Sequence, residues 1–385
     1  MLVDQAAAAP SEFAEVLQKT STVFELRIIN SGGSSYVLKM TGTNFGYSSG
    51  TFPNAGTVTS ISYRYNSSTN QFDITGAKIP AADVAADFQL GGLDWVLARL
   101  FDRTHAIIGS TGDDGLYGSP GNDSINGGAG ADRMSGRSGN DSYIVDKWVK
   151  ATTANPAPAR DEVVESAGQG TDTVRSSVSY ELPVNVERLV LTGSAVAGTG
   201  NGAANTIIGN AGANVLRGGA GNDTLLGRSG ADRLEGQAGA DAIRGGTGND
   251  VLRGDIAGGT RGQDRFYFDS TPNSLTNRDA IEDFNVQDDS ILLAKSIFAI
   301  PATTTPTATS PAAIAAAAFK RIDGYDPANP TARAVDPDSN DRIIYDQAAG
   351  KIYYDADGSG AGAAVLFATV TARTALTSAD FLIFI

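Results

Sequence analysis

Apolar and polar positions repeat every nine residues along residues 200–267. The unit has Gly at position 1, Gly at position 4 except at Ala203, Asp at position 6 with two exceptions and an apolar residue at position 8, as in GGAGNDTLL at 218–226. A shorter copy of the array occupies residues 109–144. One apolar side chain per unit reaches a core only if every unit ends in a short strand stacked on other strands. Because glycine turns through positive φ without steric cost, the pattern predicts a stacked, repetitive β architecture.

The aspartate column indicates a metal site. Carboxylates that recur at every turn line up along the stack, and close like charges repel unless something cationic lies between them. Carboxylate and turn carbonyl oxygens suit a hard ion such as Ca²⁺ better than zinc or copper. Position 6 is Asn instead of Asp only at Asn205 and Asn214, where we expect weaker or empty sites.

The unit resembles the calcium-binding nonapeptide G-G-x-G-x-D-x-U-x of RTX proteins. The resemblance implies an all-β chain whose core is a calcium-bound parallel β-roll with two nonapeptides per coil, so that turns on the same side lie eighteen residues apart. It places ions between Asp114 and Asp132, Asp123 and Asp141, Asp223 and Asp241, Asp232 and Asp250, with Asp241 and Asp264 as a further pair stretched by an insertion. Asn205 and Asn214 pair with Asp223 and Asp232. The implied glycines at position 4 are Gly112, Gly121, Gly130, Gly139, Gly221, Gly230, Gly239 and Gly248.

Charge and composition agree with this interpretation. The net charge of −14 makes nucleic acids and anionic membranes poor partners. Roughly five to seven Ca²⁺ ions would offset most of that charge, and folding should therefore depend on metal. The chain has no cysteine. It has no apolar run of the roughly 18 residues that a membrane helix needs, and its first residues lack the basic and apolar regions of a secretory signal.

Five regions are predicted along the chain. Residues 1–105 form a small N-terminal β-rich (α+β) domain, with a short helix at Ser11–Gln18 and a second helix interrupted near Gly91 and Gly92. Its strands are predicted at Val23–Ile29, Ser35–Thr41, Val58–Tyr65 and Gln71–Ile74. Residues 106–144 and 200–268 form the two β-roll blocks, joined by a calcium-free solenoid connection over 145–199. Residues 269–385 form a β-rich C-terminal cap with a low-complexity loop near 300–318 and a hairpin near 341–360.

Three other motifs suggest chemistry of their own. Gly46–Gly50 matches the hydrolase elbow G-x-S-x-G around Ser48, and Asp83 and His105 follow in triad order, but the flanks indicate hairpin ends, so a turn is favoured. His105 is the only histidine, which excludes any metal site of two histidines. The segment from Asp355 begins like an EF-hand loop, but Leu366 stands where the bidentate Glu is required. Two interpretations of this segment remain open: an irregular turn that binds calcium and a solvated hairpin end.

The resemblance implies a secreted protein, extracellular or associated with the cell surface, exported by a type I secretion apparatus that recognises the C-terminal tail. We expect the β-roll to fold on binding extracellular Ca²⁺ and expect no enzymatic activity. The N-terminal domain is interpreted as a binding module for a surface polysaccharide, with Tyr36, Tyr47, Tyr63 and Tyr65 either exposed to the ligand or packed in its core. The alternative is a small extracellular hydrolase or lyase with its active site in residues 1–105.

Overall fold

The computed structural model describes five strands within residues 13–80, together with residues 106–109, 111–147, 160–256, 261–307, 309–327, 340–358 and 363–385. The chain separates into two compact units. One consists of Met1–Ser177 and Pro183–Val186, and the other of Val178–Leu182 and Glu187–Ile385. No helix among these described residues is long and apolar enough to cross a bilayer.

The first unit begins with an antiparallel meander. Its strands are β1 (Phe13–Lys19), β2 (Val23–Ile29), β3 (Ser35–Gly46), β4 (Ala55–Tyr65) and β5 (Asn70–Pro80), and each pairs with the next. The predicted strands β2 to β5 are confirmed. The predicted helix at Ser11–Gln18 is wrong, because Phe13–Lys19 pairs along β2 in antiparallel register. The second predicted helix and Tyr47, Ser48, Asp83 and His105 lie outside the described residues.

The first array is a pair of parallel sheets. One sheet contains β6 (Ala106–Ile108), β8 (Ser124–Asn126), β10 (Ser142–Val145) and β12 (Thr173–Ser176). The other contains β7 (Gly115–Tyr117), β9 (Arg133–Ser135) and β11 (Glu162–Val163). Strand β5 pairs antiparallel with β6, so the meander continues the first of these sheets. The predicted β-roll, with two nonapeptides per coil, is confirmed.

The second unit repeats the same construction. One sheet contains β14 (Arg188–Leu191), β16 (Thr206–Ile208), β18 (Thr224–Ser229), β20 (Ala242–Thr247), β22 (Arg265–Phe268) and β24 (Ser290–Ala294). The other contains β13 (Tyr180–Glu181), β15 (Ala197–Thr199), β17 (Val215–Ala220), β19 (Arg233–Ala238), β21 (Val251–Asp255) and β23 (Asp279–Ile281).

The core of each roll is the apolar column at position 8. In the first array Ile125, Met134 and Tyr143 are fully buried, and in the second Leu225 and Leu234 are fully buried. Fully burying one such side chain stabilises the fold by about 1.5–3 kcal/mol. The neighbours on either side of each core residue lie on the outer face, as the alternation of a strand requires.

The C-terminal segment closes the second roll. It adds β25 (Ala312–Ala313), β26 (Phe319–Arg321), β27 (Ile343–Asp346), β28 (Lys351–Tyr354), β29 (Val365–Thr369) and β30 (Phe381–Phe384), with 3₁₀ turns at Ala316–Ala318 and Ser378–Asp380. Strands β29 and β30 extend the two sheets in parallel from β23 and β24. The predicted hairpin is confirmed as β27 and β28. The predicted low-complexity loop is partly wrong, because it contains β25, which pairs with β30.

Candidate metal centre

Position 6 of the repeat forms a ladder of buried carboxylates on each side of each roll. In the second unit, the backbone N–H of Asp223 donates to Oδ1 of Asp241 at 2.8 Å, and that of Asp232 donates to Oδ1 of Asp250 at 2.8 Å. The next step joins the N–H of Asp241 to Oδ1 of Asp264 at 2.9 Å. All the predicted aspartate pairs are brought together in this way, and the two remaining pairs, in the first unit, are Asp114 with Asp132 and Asp123 with Asp141.

The second carboxylate oxygen has no such partner along most of the ladder. Seven Oδ2 atoms are buried and accept no hydrogen bond from any described residue. They belong to Asp132, Asp141, Asp223, Asp232, Asp241, Asp250 and Asp264. Leaving a buried ionised oxygen unsatisfied is costly, and protein interiors compensate such charges with partners or metal ions.

The glycine at position 1 makes room for these oxygens. A Cβ on Gly118 would lie 2.6 Å from Oδ2 of Asp123 and 2.6 Å from the carbonyl oxygen of Gly136 in the next coil. At Gly218 the same two kinds of oxygen meet, from Asp223 and from Gly236, the latter at 2.5 Å. At these positions a carboxylate oxygen and a carbonyl oxygen therefore share one small space that only glycine leaves open. An all-oxygen donor set of this kind fits Ca²⁺.

The glycine at position 4 has a different role. Gly130, Gly139 and Gly230 have φ of 140°, 124° and 121°, which side chains rarely adopt. A Cβ on Gly230 would lie 2.7 Å from the carbonyl oxygen of Gly212 in the preceding coil. These glycines stack on one another at the turn. Carbonyl oxygens of the position 1 glycines also adjoin the carboxylates, and these glycines were not among the predicted site residues.

The surroundings of the ladder carboxylates disfavour their ionised form. Burial is the largest cause that raises the pKa of Asp223 to about 7, of Asp241 to about 6 and of Asp264 to about 8. The hydrogen bond from the preceding backbone N–H acts in the opposite direction, and repulsion from neighbouring aspartates adds to the effect of burial. A cation beside Oδ2 favours the ionised carboxylate and reverses this balance.

The asparagine positions differ from most of the aspartates in their hydrogen bonds. Their side-chain oxygens are satisfied locally: Oδ1 of Asn205 accepts from the N–H of Asn201 at 2.7 Å, and Oδ1 of Asn214 accepts from that of Asn210 at 2.8 Å. Asp123 is also satisfied within its own unit, because the N–H and hydroxyl of Ser119 both donate to its Oδ2. These three positions present less unsatisfied negative charge to an ion than the seven aspartates do.

The ladders contain four further aspartates that were not predicted from the sequence. Oδ1 of Asp161 accepts from the N–H of Asp132 at 3.2 Å, and Oδ1 of Asp172 from that of Asp141 at 2.7 Å. In the second unit, Asp279 and Asp289 extend the ladders from Asp250 and Asp264, at 3.0 Å each. Each of the four begins an Asp-x-apolar triplet, which is the part of the repeat that survives there. That triplet is the signal that could have found them.

In the described part of the EF-hand-like segment, residues 355–358, the structure shows a local turn. The N–H of Asp357 donates to Oδ1 of Asp355 at 3.2 Å, which is the bond of a local turn. Burial, with the neighbouring Asp357, raises the pKa of Asp355 to about 6. Leu366 lies in β29 and packs into a cluster with Tyr325, Ile344 and Tyr353. The residue at the bidentate position is therefore part of a hydrophobic core.

The fold and the ladder together define a calcium-binding repeat protein of the β-roll type. The family model of the RTX calcium-binding nonapeptide repeat matches residues 108–143, 199–234 and 226–257, about a quarter of the chain. The chain thus carries RTX repeats in both arrays. No curated protein matches it.

Among solved structures, the chain is similar to the R3 subunit of the mannuronan C5-epimerase AlgE6 from Azotobacter vinelandii, studied in solution. The two sequences are 20% identical, and the match covers 46% of this chain and 77% of that subunit, with a TM-score of 0.16. A similarity at this level says nothing about the function of the present chain.

Proposed function

We propose that this chain is a secreted protein whose β-roll folds on binding extracellular Ca²⁺. The seven buried Oδ2 atoms without a hydrogen-bond donor among the described residues carry the proposal. Stacked carboxylates of this kind keep a metal-free chain loose, because each coil that forms buries another uncompensated charge.

Calcium would supply two positive charges and a flexible shell for oxygen ligands. The ladder aspartates and the carbonyl oxygens of the position 1 glycines would hold it, with the position 4 glycines shaping the turn. Roughly five to seven ions are expected from the aspartate pairs. With affinities on the order of 10⁻⁴ to 10⁻³ M, as in extracellular modules, these sites stay empty in the cytosol and fill outside the cell. Because of that difference, the chain passes through a type I secretion apparatus unfolded and folds after export.

The N-terminal meander is proposed as a binding module for a polysaccharide at the cell surface or in the surrounding matrix, without catalytic activity. The register of its sheet supports this role. Tyr36 pairs with Tyr65, and Tyr63 pairs with Phe72 on the next strand, so aromatic residues occupy adjacent positions across three strands. Aromatic residues combine a large apolar surface with, in tyrosine, a polar end, which suits them to binding surfaces.

Calcium-linked folding is tested by titrating chelator-treated protein with Ca²⁺ and following far-UV circular dichroism, with Mg²⁺ as the control ion. The expected result is a cooperative gain of β signal between about 0.1 and 10 mM Ca²⁺, absent with Mg²⁺, which prefers a rigid octahedral shell. A fully folded spectrum in chelator that Ca²⁺ leaves unchanged would refute the proposal.

The binding role is tested by affinity electrophoresis of the calcium-loaded chain through gels containing neutral or acidic polysaccharides. Retardation by one polysaccharide class, reduced at least tenfold in the Tyr36→Ala, Tyr65→Ala double variant, is expected. Unchanged mobility in every gel would remove polysaccharides as the ligand.

A further inference from the structure

The last coil of the first array contains a carboxylate where the repeat has glycine. Strand β11 pairs with β9, with Val163 opposite Met134. Two residues further along the chain, beyond the ends of both strands, the same register sets Glu165 against Gly136, the position 1 glycine of its unit. In regular coils the N–H of that glycine donates to a backbone carbonyl of the next coil, as from Gly118 to Ser135 at 2.7 Å. Here the N–H of Gly136 donates to Oε1 of Glu165 at 2.9 Å.

Glu165 thereby joins two ladder aspartates in one buried cluster. One carboxylate oxygen from each of Asp141, Glu165 and Asp172 lies within 4.8 Å of the other two. Asp141 and Asp172 are 1% exposed and Glu165 is 7% exposed. Oδ1 of Asp172 accepts from the N–H of Asp141 at 2.7 Å, and the hydroxyl of Tyr143 donates to Oε1 of Glu165.

The cluster includes a carboxylate oxygen that is fixed in place but has no hydrogen-bond donor among the described residues. Oδ2 of Asp141 is buried and accepts no hydrogen bond from any described residue. Its position is fixed, because Oδ1 of the same carboxylate is held by the N–H of Asp123 at 2.6 Å. The interior of the cluster therefore offers an oxygen that neither the backbone nor Tyr143 satisfies.

Two arrangements could compensate three buried carboxylates. A proton shared within the cluster removes one charge, as in other close carboxylate pairs. A divalent cation removes two and also satisfies the unpaired oxygen. All three side chains are buried, so solvent does not screen the negative charges that a single shared proton would leave. The carboxylate-only donor set suits a hard oxygen-seeking ion.

We propose that Asp141, Glu165 and Asp172 bind a further Ca²⁺ ion that closes the first array. Glu165 and Asp172 lie beyond residues 108–143, where the repeat family matches, so the site is not one that the repeat itself specifies. The site differs from the regular sites in taking a glutamate side chain in place of a glycine carbonyl. It rests on the proposed calcium binding of the arrays.

The test counts bound calcium in Glu165→Gln, a substitution that keeps the size of the side chain and a hydrogen-bond acceptor for Gly136. The matched control is Glu162→Gln in the same coil, where Glu162 is half exposed and paired with Arg133. Full-length proteins are dialysed to equilibrium against 5 mM Ca²⁺ and assayed by mass spectrometry for calcium in excess of the dialysis buffer. Isothermal titration calorimetry then gives the affinities.

E165Q is expected to bind one Ca²⁺ fewer than wild type, or to bind one ion at least tenfold more weakly, whereas E162Q matches wild type. Equal stoichiometry and affinity in both variants would overturn the site while leaving the repeats as calcium binders. A wild-type chain that binds no calcium would instead refute the proposed function.

If E165Q fails to fold, a measurement on the wild-type protein tests the same site. Crystals grown with Tb³⁺ in place of Ca²⁺ should give an anomalous difference peak among the three carboxylates, close to the hydroxyl of Tyr143. Anomalous peaks at the regular ladder positions but none in this cluster would show that a shared proton compensates it, and would overturn the proposal.

Discussion

Asp241 links two consecutive steps of the ladder and is the most informative place to perturb it. Its Oδ1 accepts from the N–H of Asp223 at 2.8 Å, its own N–H donates to Oδ1 of Asp264 at 2.9 Å, and its Oδ2 has no donor among the described residues. Asp241→Asn keeps the size of the side chain and an amide oxygen that can accept from Asp223. The substitution therefore removes one negative charge from two neighbouring sites with little change in packing.

The expected loss of stability depends on calcium. A site with a Kd of 1 mM stabilises the folded chain by about 1.4 kcal/mol at 10 mM Ca²⁺, and one with a Kd of 0.1 mM by about 2.7 kcal/mol. Losing both sites at Asp241 should cost roughly 3–5 kcal/mol at 10 mM Ca²⁺. For a unit of this size, that lowers Tm by roughly 6–20 °C. At 0.1 mM Ca²⁺ the loss should fall below about 1 kcal/mol, because each site then contributes at most about 0.4 kcal/mol. The substitution also removes an uncompensated buried charge, which lowers the loss further.

The assay is thermal and urea unfolding of D241N and wild type at Ca²⁺ concentrations from 0.1 to 10 mM, followed by circular dichroism. The slope of the free energy of unfolding against the logarithm of Ca²⁺ concentration gives the number of ions taken up on folding. D241N should lower that number by one to two. Glu181→Gln, an exposed acidic residue of β13 in the same unit, is the control for net charge and should keep the wild-type slope. An equal destabilisation of D241N at every Ca²⁺ concentration would refute a metal-ligand role for Asp241.

Three further changes test the glycine, core and asparagine positions. Gly218→Ala should destabilise the roll by about 1–3 kcal/mol in urea unfolding, because its Cβ would overlap the ladder oxygens, whereas Gly202→Ala, with open space around it, should be nearly neutral. Leu225→Ala should cost about 2–5 kcal/mol in the same measurement, because Leu225 is fully buried, and Leu226→Ala on the outer face should cost clearly less; equal losses would contradict the inward column. Asn214→Asp should raise calcium uptake on folding by up to one ion in calorimetry while lowering stability at 0.1 mM Ca²⁺, and unchanged uptake would show that the position stays empty.

The periodic part of the fold could be predicted because each repeat specifies its own turn, strand and core residue. The ladder beyond the repeats could not, because Asp161 and Asp279 keep only an Asp-x-apolar triplet and follow long insertions. The strand β1 was missed for a different reason. FAEVLQK has apolar residues at both helical and strand spacing, and only its pairing with β2 decides between them. The position 1 carbonyls were missed because a glycine in a sequence does not indicate which way its carbonyl oxygen points.

The insertions show what sets the register of the coils. Regular ladder steps join residues 18 apart, yet the same bond from N–H to Oδ1 joins Asp241 to Asp264 over 23 residues and Asp141 to Asp172 over 31. Its length stays between 2.7 and 2.9 Å in these examples, although the chain between the two aspartates varies by 13 residues. The nonapeptide count therefore does not fix the stacking. The aspartate does, because its Oδ1 binds the backbone N–H of the preceding coil in each of these steps, while its other oxygen faces the proposed ion. Coils can thus tolerate inserted loops as long as the aspartate and the apolar residue two positions later are kept.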